Sequence, residues 1–138
     1  MPTRTGIFLE SGCILYMMDE RWRRGIDLFN RAEFFECHEV LEEIWTPERG
    51  PRRLFLQAVI HVAVGLYHCR RGNAPGAIAQ LHKALRKLAG YLPAVDDIDS
   101  ARLYAETLAV LERLEAGEEV SDYPRIHPSK KTESFSNT

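Results

Sequence analysis

His38 and Glu42 stand one helical turn apart in the stretch Phe34-Phe35-Glu36-Cys37-His38-Glu39-Val40-Leu41-Glu42-Glu43-Ile44-Trp45. An imidazole one turn from a carboxylate can hold a metal, relay a proton or pin a helix to its neighbour. On a helical wheel Leu41, Phe34, Trp45, Glu42 and Phe35 fall within about 60° of His38, while Glu36, Glu39 and Glu43 gather on a separate arc. The expectation is that those three glutamates face water and that His38 and Glu42 face the core among the aromatics. A buried imidazole and carboxylate cost several kcal/mol unless they find partners.

A second polar seam supplies such partners. Gln57, His61 and His68 are spaced by four and seven, so they share a helix face with Val64 between them. If the two seams meet, His38, Glu42, Gln57, His61 and His68 form one buried or half-buried cluster with Trp45 as its wall. Three chemistries compete for it. A structural hydrogen-bond network that fixes helix register, or a small-ligand pocket in the same place lined by Trp45, Gln57, His61, His68 and Asn73, comes first. A divalent-metal site comes second, with His38, Glu42, His61 and His68 as ligands of a metal-dependent hydrolase. Yet His38-Glu39-x-x-Glu42 is neither the His-Glu-x-x-His of zinc proteases nor the Glu-x-x-His of di-iron bundles. General acid–base work by a His38–Glu42 dyad is third, and it lacks an evident nucleophile.

The elements that must position these groups read as helices throughout, and no run alternates with strand period. The expected fold is all-α, about five helices near 19–30, 33–46, 52–71, 74–91 and 100–116, packed around the hydrophobic 52–71. Asp19 reads as the cap of the first, Pro47 ends the second, and Gly72-Asn73 stops the third and caps the fourth. Ser100 or Asp99 opens the fifth and Gly117 closes it. The third helix carries apolar residues nearly all round and is therefore expected to be surrounded by others. Gln57, His61, His68 and the flanking arginines argue against its crossing a membrane. Residues 1–18 read as an ill-defined extension, 19–127 as the domain, and 128–138 as a disordered tail. Met17 and Met18 before Asp19 suggest an alternative translation start.

The 138 residues carry 45% hydrophobic and 28% charged side chains with net charge −2, ordinary for one soluble domain. That charge gives no global reason to expect nucleic acid or an anionic membrane as partner, and an oligomer stays open. Cys13, Cys37 and Cys69 show no paired spacing, which favours reduced thiols and a cytoplasmic protein.

Leu28 to Trp45 can also be laid over His68 to Leu85 at an offset of 40, setting Cys37 on Ala77 and Leu41 on Leu81. Each half is then helix, tight turn, helix, like one hairpin of a tetratricopeptide array, although any two antiparallel helix pairs share that outline. A peptide-binding adaptor is the function this pattern implies.

Leu28-Phe29-Asn30-Arg31-Ala32-Glu33-Phe34-Phe35-Glu36-Cys37-His38-Glu39-x-x-Glu42-x-x-Trp45 resembles the signature of domain-of-unknown-function family 309. Gln57-x-x-Ile60, Ala63, His68 and Gly72-Asn73-x-x-Gly76-Ala77 match that family's second block. The resemblance covers about 19–92 and implies a small helical bundle with no assigned activity, substrate or cofactor. By position it carries over His38, Glu42, Trp45, Gln57, His68 and Asn73. Ala32 stands where glycine is expected, and His61 where glutamine is common. A glutamine there would ligate poorly, which weakens the metal reading.

Overall fold

The first helix starts well before the sequence suggests. In the computed structural model, which describes residues 10–129 and the side chains from 20 onward, α1 spans Glu10–Asn30. Asp19 therefore lies inside a helix and is not its cap. No proline stands between Glu10 and Asp19 to stop the helix, and an acidic residue is tolerated inside one. The expectations for residues 1–9 and 130–138 lie outside the described residues.

The next elements follow the punctuation. Helix α2 spans Phe34–Trp45, just short of Pro47, and α3 spans Arg53–Arg70. Helix α4, Ala74–Leu88, runs on into a 3-10 turn at Ala89–Tyr91, and α5 spans Ser100–Glu115. The side chain of Asn73 accepts from the Gly76 amide at 3.1 Å, and that of Asp99 from the Arg102 amide at 2.9 Å, so both serve as caps. Among the described residues there is no strand, only isolated bridges pairing Ile98 with Val95 and with Pro128. No described helix is long and apolar enough to cross a membrane.

Each helix packs on the next in chain order, and α3 against α4 is the most extensive interface. The core is one continuous cluster, with Phe29, Phe34, Phe55, Leu56, Leu66, Leu81 and Leu103 almost wholly buried. Helix α3 is central, as expected, but it is not enclosed on every side: one arc between α2 and α4 is left half exposed.

The echo at offset 40 is a repeat of backbone geometry. Ala32 and Gly72 both take the left-handed conformation, φ 61° and 76°. The amides of Glu33 and Asn73 each reach back to a carbonyl five residues earlier, Leu28 and His68, both at 2.9 Å. In each hairpin a glycine faces a leucine so closely that an added Cβ would lie 2.7 Å from it, Gly25 on Leu41 and Gly65 on Leu81.

Helix α5 ends in the same kind of turn, with Gly117 at φ 80° and the Glu118 amide reaching Arg113 O at 3.0 Å. Among the described residues no second helix follows. Residues 118–129 instead run back as a strap along α5, burying Val120 and Ile126. The Asn30 side chain donates to Ile126 O at 3.0 Å and accepts from its amide at 2.7 Å. The amide of Ser129 donates to Asp97 O at 2.9 Å, which holds the strap at its far end.

Candidate functional site

Helix α2 buries Phe34, Cys37, Leu41 and Ile44, a stripe at spacings of three, four and three. Its centre lies between Cys37 and Leu41, rotated by more than half a right angle from His38. The cause is the neighbour. Cys37 sits against the bare backbone of α1 and donates its thiol to Gly25 O at 3.3 Å, which draws that side of α2 inward. Burial pushes the Cys37 thiol up to about 12, so it is a packing residue rather than a nucleophile.

The rotation overturns the buried cluster. His38 is half buried on the rim, and its Nδ1 lies 3.0 Å from Phe35 O. Glu42 is exposed, with Oε2 a long 3.6 Å from His38 Nε2. Glu36, Glu39 and Glu43 face water as expected. Trp45 is half buried at the far end of the same ridge, with the Arg53 guanidinium 4.0 Å over its ring. Arg53 Nη1 also donates to Trp45 O at 2.9 Å, while the indole Nε1 is sealed from solvent with no acceptor among the described residues.

The seam on α3 turns toward α4. His61 Nδ1 lies 2.8 Å from Gln80 Oε1, and His68 Nδ1 lies 3.3 Å from Asn73 Nδ2. Burial lowers the His61 pKa most, the Gln80 hydrogen bond opposes it, and Lys87, Lys83 and Arg86 add to the lowering. Gln57 is half buried with no partner among the hydrogen bonds of the described residues. His38 and Glu42 are thus joined to each other, but not to His61 or His68. Among the described residues no group of three or more His, Cys, Asp or Glu could hold a metal ion.

A different arrangement takes the cluster's place. Arg53, Gln57, His61, Val64, Tyr67, His68 and Arg71 fall within an arc of about 120° on α3, all half buried or exposed. The ridge Phe35, His38, Glu42 and Trp45 of α2 runs alongside. At one end Phe35, 44% exposed, meets Tyr67 with ring centroids 5.5 Å apart, and Arg71 lies over Tyr67 at 5.5 Å. A cleft of about 380 Å³ opens there, lined by Ala32, Glu33, Phe35, Tyr67, Arg70 and Arg71 among others. The other end is the Trp45–Arg53 pair. This is a polar and aromatic strip, floored by α3 and open to solvent.

The sequence reading placed Gln57, His61, Val64 and His68 on one face, and they are on one face. It missed Tyr67, Arg53 and Arg71 as strip residues, although their spacing of three to four from Val64, Gln57 and Tyr67 carries that signal. It also missed Gln80, which shares a face of α4 with Lys83 and Lys87 by the same rule.

Residues 22–80 match the model of a family described as Domain of unknown function (DUF309). The chain is similar to the uncharacterised protein YpuF of Bacillus subtilis (strain 168), 37% identical over 104 residues. That alignment takes in 73% of this chain and 58% of YpuF, so the chain spans less than two thirds of that relative. The resemblance to that family is borne out over residues 22–80.

Proposed function

We propose, for a chain whose residues 22–80 match the DUF309 family model, an adaptor role: a pair of helical hairpins that receives a segment of another protein on the open face of α3. The observation that carries this is the strip itself. Gln57, His61, Val64, Tyr67 and His68 stay half exposed along about three turns of a helix that buries Phe55, Leu56, Val59, Val62 and Leu66 in the core. A contiguous half-buried face with aromatic ends is what a recognition surface needs. The repeated hairpin geometry supports the same reading, since stacked helix pairs create such faces. The small-ligand pocket that competed with it would need His38 and Glu42 to share an enclosed cavity, and they lie on an open rim. The metal-dependent hydrolase would need its four candidate ligands together, but only His38 and Glu42 meet, while His61 bonds Gln80 and His68 bonds Asn73. Cytoplasmic residence is part of the proposal, consistent with half-buried and buried unpaired thiols at Cys69 and Cys37.

A photo-crosslinking amino acid tests the reading. Placed at Phe35 in the protein expressed in its native host, it should give a discrete adduct of one defined partner. Placed at Leu92, which is equally exposed at 42% but lies beyond α4, it should not. The same adducts from both positions, or none from Phe35, would overturn the role.

A further inference from the structure

The strip has walls of opposite charge. On α2, Glu42 borders it, while Glu39 and Glu43 stand on the outer, water-facing arc of that helix, all exposed. On α4, Lys83 is exposed and Lys87 half buried, on the side of the helix that carries Gln80, and both bases are felt at His61. Among the described residues Glu39, Glu43, Lys83 and Lys87 make no ion pair, and Glu42 has only its long contact to His38. The walls therefore do not neutralise one another across the groove. Glu42 on one side and Lys83 and Lys87 on the other present unspent charge to whatever lies between them.

The floor selects the shape of that body. Its side chains recur at three and four residues from Arg53 to Arg71, the ridge pattern into which another helix packs. The floor is about 27 Å long at 1.5 Å per residue, the length of some five helical turns. Its apolar parts, Val64, Tyr67, Phe35 and the Trp45 ring, suit an apolar stripe. A strand would find no sheet edge among the described residues to pair with.

Resting on the adaptor reading above, we infer that the groove over α3 takes an amphipathic helix with an apolar stripe, a basic edge toward α2 and an acidic edge toward α4. The two edges make the site selective for bipolar helices over uniformly charged ones and set the direction in which the helix lies, because reversing it exchanges the edges.

Three synthetic helices of about five turns with one shared apolar stripe test this. One carries a Lys edge and a Glu edge, one carries Lys on both edges, and one Glu on both. Binding to the full chain is read by fluorescence anisotropy of labelled peptide. The bipolar helix should bind about tenfold more tightly than either uniform one, with the advantage shrinking as salt is raised. In the double variant Glu39→Lys/Glu42→Lys, confirmed folded by circular dichroism, the preference should move to the all-Glu helix. Equal binding of all three, or a preference unchanged in the double variant, overturns the inference. If no peptide binds while the Phe35 cross-link persists, the partner chemistry is wrong and the adaptor role stands. Loss of both sinks the two together.

Discussion

Hairpins α1–α2 and α3–α4 enter their second helix with nearly the same backbone, φ −94° and ψ 71° at Glu33 against φ −97° and ψ 78° at Asn73. The side chains at this shared turn differ in every respect. In the second hairpin the left-handed position is glycine and Asn73 caps the helix. In the first the left-handed position is Ala32, and Glu33 makes no capping bond. The first turn draws support from elsewhere: Arg70 donates to Ala32 O, and the strap residue Ile126 clamps Asn30. The second hairpin is stable through local chemistry, whereas the first leans on the second and on the strap. What both keep is the glycine–leucine approach between helices. The comparison teaches that packing distance defines the repeat and that turn chemistry is free to vary when a neighbour compensates.

The largest expected effect strikes what the hairpins share. Gly65→Ala puts a Cβ 2.7 Å from Leu81 Cδ2 and 2.9 Å from its Cγ, both too close, and Leu81 is fully buried. Gly25→Ala meets only the Leu41 Cδ2 below 3.0 Å, with Cγ at 3.3 Å. Both gain helix propensity, which offsets about 1 kcal/mol. Gly65→Ala should still lose a net of about 1–3 kcal/mol in urea denaturation, and Gly25→Ala clearly less. A neutral Gly65→Ala would break the claim that close approach defines the repeat.

The next effect strikes what they do not share. Gly72→Ala forces a side chain into the left-handed region and should cost about 1 kcal/mol, while Ala32→Gly should stabilise by a similar amount. Opposite signs at the two equivalent positions would sharpen the contrast between a locally stable turn and a supported one. If Ala32→Gly were destabilising, the support from Arg70 and the strap would be shown to relieve the whole conformational cost.

The fold was legible because its punctuation is local. Pro47, Gly72-Asn73, Asp99 and Gly117 each act locally, and α2, α3 and α5 end, and α4 and α5 begin, within a few residues of where those signals stand. The rotation of α2 was not legible. It depends on Gly25, twelve residues away, leaving a gap that Cys37 fills, and helix periodicity alone does not say which neighbour is small. Phe35 and Trp45 deepened the error, since large aromatics read as core and here serve as rim. The α3 seam was read on the correct face and given the wrong partners. Gln80 comes from α4, and the sequence around His61 holds no trace of it, whereas Asn73, the cap of α4, is a pocket candidate in the sequence and does meet His68.

The smallest effect tests that α3–α4 pairing by pH. His61 is held below its ordinary 6.5, chiefly by burial, with Lys87, Lys83 and Arg86 adding repulsion and no carboxylate among the influences on it. The unfolded chain therefore binds the proton more readily than the folded one, and stability rises with pH through this window. The contribution is complete above the unfolded value and is lost as pH falls through the lower folded one. His61→Gln keeps an amide that can bond Gln80 and removes the titration. Urea midpoints between about pH 7 and pH 5 should fall less steeply in the variant than in the wild type. The equivalent positions of the first hairpin, forty residues earlier, are Arg21 and Val40, and no titrating pair exists there. Arg21→Gln should accordingly leave the wild-type slope in place. An unchanged slope in His61→Gln would mean that the acid sensitivity of the protein lies outside the α3–α4 hairpin, and the polar tie between those helices would then be a contact without a measurable share in holding them together.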